Sequence, residues 1–422
     1  MRHYRLQCTG CGARYDDDGV RLDCDRVHGP ALLKSVYDAR TFAPADEPSI
    51  ARYAAWLPVD GPLATDARTG VYRSEGVAKE LGLANLWIAF SGWWPERGAS
   101  LASATFKELE AVAVLGRLPD DGRTLVIASA GNTAAAFARI AGERDVPVLI
   151  VIPLDAWETL ARTVRIAPSV RVAAVEGGTY DDAIRLSKVL AAREGYVLEG
   201  GVRNVGRRDG MGTAMLAATE AIGLLPDVYV QAVGSGAGAL AAHEAALRLI
   251  ADGRFGSTAP RLLLAQNAPF TPIHDAWARR GAALDERDPN VVRDQLGRLG
   301  AAVLSNQAPP YATQGGLRAA LAQSDGLTRA VSNDEMARAM LLFAEREGID
   351  VEPAAGVALA ALAQAVRDGE IARDATVMLH VTGGGRARLR PVIAEQRPAL
   401  IVRRDETEHR SADDVAALFA AT

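Results

Sequence analysis

The segment DVYVQAVGSGAGALAAHEAALRLI (residues 227–250) carries the pattern that decides the fold. It opens with a short apolar run, passes through a glycine-rich loop and continues into a stretch rich in alanine and leucine, which are strong helix formers. A short apolar run that is bounded by turn residues and followed by a helix is typical of a buried strand in a parallel sheet. This segment therefore predicts one strand–loop–helix unit of an α/β protein.

The same unit recurs along the chain. Two helix starts carry the capping patterns Thr179-x-x-Asp182 and Ser332-x-x-Glu335. We expect buried parallel strands at residues 123–128, 146–152, 170–175, 227–233, 261–265 and 376–381. Strands that alternate with helices over most of the chain predict an α/β fold with two doubly wound domains.

The composition limits the classes of protein to be considered. The 422 residues are 49% hydrophobic and 23% charged, with a formal net charge of −5. An acidic balance argues against nucleic acid as the main partner, and no apolar stretch approaches the roughly 18 residues of a membrane span. The N-terminal MRHYRLQCTG has no apolar signal region. We therefore expect a cytoplasmic protein with neither a nucleic-acid nor a membrane partner.

The sequence predicts four structural regions. Residues 1–36 predict a small ribbon with β-prone runs at residues 3–8 and 19–24. We expect a large α/β domain from residues 37–90 and 205–400 and a small α/β domain from residues 91–204. A charged tail at residues 401–422 ends in a predicted short helix at residues 413–420.

The ribbon contains all three cysteines of the chain. An odd, clustered set of cysteines is a poor disulfide framework and favours a metal site. Cys8-x2-Cys11 and Cys24-x3-His28 supply four ligands of the zinc-ribbon type, although the second spacing is irregular. The predicted zinc would be structural, and a ribbon that keeps its cysteines without metal is the alternative.

Lysine is rare here, with four lysines among the 47 basic residues, and one of them lies in ASATFKELEA (residues 102–111). The amine of Lys107 could form a Schiff base with an aldehyde and move a substrate proton. Alone, this segment would also suit a lysine that extends to the surface.

A second motif, ASAGNTAAAF (residues 128–137), follows a predicted strand and opens a helix. The free N–H groups of a helix start suit a carboxylate, whereas an ordinary capped turn is the alternative. The residues that would contribute are Ser129, Ala130, Gly131, Asn132 and Thr133.

Two glycine-rich loops complete the set. VGSGAGA (residues 233–239) offers N–H groups that could cradle a phosphate, and its G-x-G-x-G spacing argues against a dinucleotide. HVTGGG (residues 380–385) places Thr382 at the end of the last predicted strand, where open α/β sheets bind ligands. A plain glycine turn is the alternative there.

The order of these four motifs resembles the fold-type II enzymes that depend on pyridoxal 5′-phosphate (PLP), the tryptophan synthase β-like family that includes threonine synthase, cysteine synthase and serine/threonine dehydratase. The resemblance implies that Lys107 carries PLP, that Asn132 contacts the ring 3′-oxygen and that Thr382 faces the pyridine nitrogen. It implies a homo-oligomer and a substrate-carboxylate loop at residues 129–133, in which Ala130 replaces the serine of many relatives. The residues implied in phosphate binding are Gly234, Ser235, Gly236, Ala237 and Gly238.

Further segments narrow the resemblance. Asn204-x-x-Arg207-x-Asp209-Gly210 resembles a threonine synthase segment whose arginine grips the substrate phosphate. Arg207 and Arg208 are therefore candidates for binding small anionic substrates, with surface arginines as the alternative.

Other segments, namely GPALLKSVY (residues 29–37), WPERG (94–98), FKELEA (106–111), and PPY (309–311) followed by GG (315–316), resemble the cysteate synthase subfamily. That subfamily converts O-phospho-L-serine and sulfite to L-cysteate and phosphate by β-replacement. The alternatives are a threonine synthase that acts on O-phosphohomoserine, an O-phosphoserine-dependent cysteine synthase and a non-catalytic α/β binding protein.

Overall fold

The structure is a computed structural model that describes residues 2–129 and 131–405. Its strands are, in chain order, β1 (Tyr4–Cys8), β2 (Arg14–Tyr15), β3 (Leu33–Tyr37), β4 (Gly70–Arg73), β5 (Asn85–Phe90), β6 (Trp93–Trp94), β7 (Ala99–Ser100), β8 (Thr124–Ala128), β9 (Val148–Pro153), β10 (Val170–Glu176), β11 (Tyr196–Leu198), β12 (Val228–Ala232), β13 (Arg261–Asn267), β14 (Leu327–Val331), β15 (Thr376–Val381) and β16 (Leu400–Arg403).

Helices separate most of these strands. The α-helices are α1 (Gly76–Leu81), α2 (Lys107–Arg117), α3 (Asn132–Arg144), α4 (Trp157–Thr163), α5 (Tyr180–Ala191), α6 (Val205–Ile222), α7 (Ala237–Asp252), α8 (Pro272–Ala278), α9 (Pro289–Gly297), α10 (Leu317–Gln323), α11 (Asn333–Glu347) and α12 (Pro353–Arg367). Short 3-10 helices occupy Ile50–Trp56, Pro95–Arg97, Leu154–Ala156, Gly201–Arg203, Ala302–Leu304 and Arg386–Arg388. Among the residues that are described, no helix is long and apolar enough to cross a membrane.

Two large sheets form the framework. The larger has the order β14-β13-β12-β15-β5-β4, in which only β4 at the edge is antiparallel to its neighbour. The smaller has the order β11-β8-β9-β10-β16 and is parallel throughout. The ribbon is an antiparallel sheet of order β2-β1-β3. The predicted α/β fold is therefore confirmed.

The cores follow from these layers. The largest hydrophobic cluster joins one face of each sheet through α2, α3, α6 and α7. A second cluster packs α11 and α12 on the other face of the larger sheet, and a third packs α5 on the other face of the smaller one. Strands that are covered on both faces must be apolar along their whole length, which is why β9 reads VLIVIP and is buried throughout.

All six predicted parallel strands are present, and both predicted capping boxes form at Thr179 and Ser332. The prediction for residues 19–24 was wrong, because this segment forms no strand and instead lies against the end of α2, where Arg117 donates to the Arg21 carbonyl. Residues 400–403, expected at the boundary of the large domain and a helical tail, form β16 beside β10 in the smaller sheet. The predicted helix at residues 413–420 lies outside the described residues.

A buried ion pair anchors the ribbon to α2. Arg117 donates from Nε and Nη2 to the two carboxylate oxygens of Asp17 at 2.9 and 2.7 Å, and both side chains are fully buried. The same guanidinium donates to Asn204 Oδ1 at 3.0 Å, at the N-cap of α6. One side chain therefore joins the ribbon, α2 and α6.

Replacing Arg117 with methionine should lower the free energy of unfolding by about 3 kcal/mol, because it leaves the buried charge of Asp17 with Arg2, at 3.6 Å, as its remaining cationic partner. Urea titration followed by circular dichroism measures this change. The control Arg162→Ala breaks an exposed pair with Glu158 and should change the same free energy by less than about 0.5 kcal/mol. Equal losses in the two variants would contradict the anchoring role.

Candidate active site

The four sequence motifs meet at the carboxyl ends of the strands. Residues 233–236 follow β12 and residues 382–385 follow β15, and these two strands are parallel neighbours. The loop before α2 lies directly on the second of these turns: Phe106 N donates to Thr382 O at 2.9 Å, and Gly384 N donates to Ala104 O at 3.0 Å. Lys107, the first residue of α2, is thereby held beside Thr382.

The glycine-rich loop at residues 233–239 contacts the loop before α2. A Cβ added at Gly238 would lie 2.8 Å from Phe106 Cε2 and 2.6 Å from Gln231 Nε2, so a larger residue there would displace the neighbour of Lys107. Ser235 Oγ accepts a hydrogen bond from Ala237 N at 3.3 Å at the start of α7. The loop therefore presents the N-terminus of a 16-residue helix beside Lys107.

The loop before α3 completes the cluster. Ser129 Oγ accepts from Ala134 N at 3.1 Å, which caps the helix start. Thr133 Oγ1 donates to Glu110 Oε1 at 3.0 Å, and Asn132 Oδ1 lies 3.5 Å from Nη2 of Arg386. The structure thus brings the Ser129–Thr133 region to Lys107, although Ala130 lies outside the described residues.

Lys107 belongs to a network of four buried charges. Its Nζ lies 3.1 Å from Glu110 Oε2, and Arg207 Nη1 donates to the same carboxylate at 2.9 Å. Arg207 also donates from Nε and Nη2 to Glu199 at 2.8 and 2.7 Å. Two carboxylates therefore face one guanidinium and one ammonium, and the network is neutral when Lys107 is protonated.

Burial determines the proton affinities in this network. The Lys107 side chain is only 20% exposed, and withdrawal from water lowers its pKa, an effect that Glu110 opposes and Arg207 reinforces. Burial works against ionisation of Arg207 and Glu199, but attraction between opposite charges prevails: Glu110 and Glu199 raise the pKa of Arg207, and Arg207 lowers the pKa of Glu199. Of the two cations in the network, Lys107 is therefore the one that loses its proton more readily.

Arg208 lies apart from this cluster. Its Nε donates to Glu244 at 2.9 Å, and its two terminal nitrogens donate to the carbonyl oxygens of Val202 and Leu33. Consecutive residues on a helix point about 100° apart, so Arg208 faces α7 and the ribbon while Arg207 faces Lys107. The expectation that both arginines face the substrate site is therefore corrected.

Several residues near Lys107 were not predicted. Glu110 stands three residues after Lys107, a spacing at which side chains on one helix meet, so the motif itself contained this signal. Glu199 and Arg386 are brought in by tertiary packing and had no local signal. Thr105 Oγ1 is buried without a hydrogen-bond partner, two residues before Lys107.

The four predicted metal ligands also come together. One ligand atom from each of Cys8, Cys11, Cys24 and His28 can be chosen so that all lie within 4.8 Å of one another. The three cysteines form no disulfide. This cluster lies in the ribbon, which makes it a site separate from the one around Lys107.

The sequence over residues 67–383 matches the protein family described as "Pyridoxal-phosphate dependent enzyme". The chain therefore belongs to this family. The fold agrees: maize serine racemase has a TM-score of 0.56 at 19% identity, over 75% of this chain and 88% of that one. An L-serine ammonia-lyase from Rhizomucor miehei has a TM-score of 0.58 at 16% identity, over 81% and 98% of the two chains.

Similar curated proteins include cysteate synthases. The cysteate synthase of Methanosarcina barkeri is 43% identical over 92% of this chain and 94% of its own length. That of Methanoculleus marisnigri is 46% identical over 91% of this chain and 89% of its own length. The resemblance to the PLP-dependent enzymes and to their cysteate synthase branch is thus confirmed.

Replacing Glu110 with glutamine should lower the pKa of Lys107 further, because it removes the anion that favours the ammonium form. A larger fraction of neutral amine should then be present at each pH below that pKa. The midpoint of the pH dependence of PLP uptake by the apoprotein, followed by absorbance, should move to lower pH. Glu244→Gln, which alters the neighbouring Arg208 pair, is the matched control. An unchanged or higher midpoint in Glu110→Gln would contradict the role of this carboxylate.

Proposed function

We propose that this chain is a cysteate synthase, which converts O-phospho-L-serine and sulfite to L-cysteate and phosphate. The observation that carries the proposal is the 43–46% identity to cysteate synthases over more than nine-tenths of the chain. The family resemblance further favours a cytoplasmic homo-oligomer. The geometry around Lys107 supports the chemistry that such a replacement requires.

The residues around Lys107 fit PLP. Lys107 would hold the cofactor through its amine, residues 234–238 would hold the phosphate, Asn132 would contact the ring oxygen and Thr382 the ring nitrogen. The unpartnered hydroxyl of Thr105 and the glycine-lined start of α7 are the features that a bound phosphorylated ring would use. When bound, PLP supplies an electron sink for the charge that Cα acquires on losing its proton.

Lys107 is suited to move that proton. Its lowered pKa increases the fraction of neutral amine at a given pH, and the neutral amine can accept the Cα proton and later return it. Glu110 lies 3.1 Å away and stabilises the ammonium form between these two steps. Lys107 is thus the catalytic residue, and Glu110 is a positioning residue that sets its charge.

Thr382 influences which reaction follows. If Thr382 contacts the ring nitrogen, its neutral hydroxyl would leave that nitrogen less protonated than an aspartate would, which would limit the electron withdrawal that bound PLP supplies. This environment favours loss of a group from Cβ and its replacement over transamination. Loss of phosphate and addition of sulfite through sulfur are the two halves of the proposed β-replacement.

The substrates are anions, yet the charges around Lys107 cancel. Binding would therefore rely on directed N–H groups, with residues 129–133 at the start of α3 holding the substrate carboxylate. Arg207 uses three of its five N–H donors on Glu110 and Glu199, so two remain for a phosphate or sulfite oxygen. Arg208 is left out of the proposed site because its contacts lie elsewhere.

Incubation with O-phosphoserine and a panel of nucleophiles tests the proposal. Sulfite should give L-cysteate and phosphate in equal amounts, and Lys107→Ala should abolish both products because it removes the amine that holds PLP and moves the proton. Chromatography of the amino acids and a phosphate assay measure the outcome. Threonine from O-phosphohomoserine, or cysteine from sulfide with no cysteate, would show that an alternative branch of the family is correct.

Replacing Arg207 with lysine should raise the KM for O-phosphoserine by about tenfold, because lysine lacks the planar donor pair that remains for an oxyanion. Arg208→Lys should change stability but leave this KM within about twofold, since Arg208 contacts α7 and the ribbon. Steady-state kinetics on both variants measures the difference. Equal KM values for the two variants would argue against a substrate contact by Arg207.

A further inference from the structure

Two ligand separations in the ribbon cluster are close to those of a tetrahedral zinc site. Cys8 Sγ lies 3.4 Å from His28 Nε2, and Cys11 Sγ lies 3.6 Å from Cys24 Sγ. Around a tetrahedral zinc ion, with Zn–S near 2.3 Å and Zn–N near 2.0 Å, two sulfur ligands lie about 3.8 Å apart and sulfur and nitrogen about 3.5 Å apart. Both measured separations are within about 0.2 Å of these values.

The surroundings of the ligands also suit a metal. His28 Nδ1 lies 2.6 Å from its neighbour's carbonyl oxygen, Gly29 O, which places a hydrogen on Nδ1 and leaves Nε2 free as a ligand. Gly10 N donates to Cys8 Sγ at 3.3 Å, and the Tyr15 hydroxyl lies 3.0 Å from Cys24 Sγ. Hydrogen bonds to sulfur of this kind stabilise thiolate ligands.

The ribbon also holds a segment of the large domain. Thr9, between the first two cysteines, has its Oγ1 2.8 and 2.9 Å from the carbonyl oxygens of Leu32 and Gln314. Leu32 N donates to Gln314 O at 3.0 Å, and Gln314 N donates to Pro30 O at 3.0 Å. Residue 314 is thereby paired with the chain that follows His28.

The segment that contains residue 314 also contacts the glycine-rich loop before α7. Gly315 has φ +72°, and a Cβ there would lie 2.5 Å from Thr9 Oγ1, so the ribbon and residue 315 are in close contact. Leu317, the first residue of α10, is buried against Gly236, where an added Cβ would overlap Leu317 Cδ2. A continuous path of contacts therefore runs from the turn between Cys8 and Cys11 to the loop at the start of α7.

We propose that Cys8, Cys11, Cys24 and His28 bind one zinc ion, and that this site acts as a strut that keeps residues 314–317 against the glycine-rich loop. Four protein ligands leave no open position, so the zinc is structural and takes no part in the reaction. The strut rests on the proposed role of residues 234–238 in holding the PLP phosphate. The metal site itself is independent of that role.

The metal is tested on the full-length protein as purified and after reconstitution with zinc. Elemental analysis should give one zinc per chain, and X-ray absorption should show three sulfur neighbours and one nitrogen neighbour. Cys24→Ser should reduce the zinc content by at least half. Val27→Ala, a change at a fully exposed residue beside His28, should not. A metal-free protein with free thiols or a Cys11–Cys24 disulfide would overturn the site.

The strut is tested by measuring the affinity for PLP with and without zinc. Removal of zinc by a chelator should weaken PLP binding by about tenfold while far-ultraviolet circular dichroism is retained, and added zinc should restore the affinity. Gly315→Ala should keep one zinc per chain but weaken PLP binding, because alanine at this φ displaces Thr9 or residue 315.

Gly315→Ala also covers the case in which the zinc-free protein unfolds. Unchanged PLP affinity in this variant, or in the folded zinc-free protein, would overturn the strut. Neither readout depends on which nucleophile the enzyme uses. A chain that binds zinc but takes up no PLP under any condition would refute the proposed function and leave the metal site standing.

Discussion

The guanidinium of Arg207, buried between the carboxylates of Glu110 and Glu199, is the interaction on which the catalytic cluster depends. Removing one partner from such a buried set costs about 3–5 kcal/mol, because the remaining charge has no solvent to stabilise it. The pairs therefore fix α2, α6 and the end of β11 relative to one another. Since Glu110 also contacts Lys107 and Thr133, the same network positions the amine of Lys107 and the start of α3.

The charge balance of this network determines how the site can bind anions. Two carboxylates cancel the charges of Arg207 and Lys107, in a chain whose formal net charge is −5. Attraction by excess positive charge is therefore not available near Lys107. Directed N–H groups at the starts of α3 and α7 and the two unused donors of Arg207 can bind small oxyanions without it. Such binding would depend on the geometry of these loops, which buried contacts hold in place.

The ribbon has contacts that reach both halves of this arrangement. Through Asp17 it holds Arg117, at the opposite end of the helix that Lys107 begins. Through Thr9 it holds residues 314 and 315, which lead to Leu317 and the glycine-rich loop. A ribbon of this size has little core of its own, so a fixed shape for its cysteine turn requires either dense packing or a metal. Its contacts give the route by which the proposed zinc site would influence residues 234–238.

The sequence by itself determined the parallel strands and the two capping boxes, because buried strands and helix starts are local patterns. The role of Lys107 follows from the family resemblance that the order of the motifs carries. The spacing of Glu110, three residues after Lys107, also predicts that these two side chains meet on one face of a helix. Only the tertiary structure decided that Glu199 pairs with Arg207, that Arg208 turns towards the ribbon and that residues 400–403 extend the smaller sheet. These features depend on which distant segments meet. Local periodicity gives the face on which a side chain lies, but the partner on that face is set by packing of the whole chain.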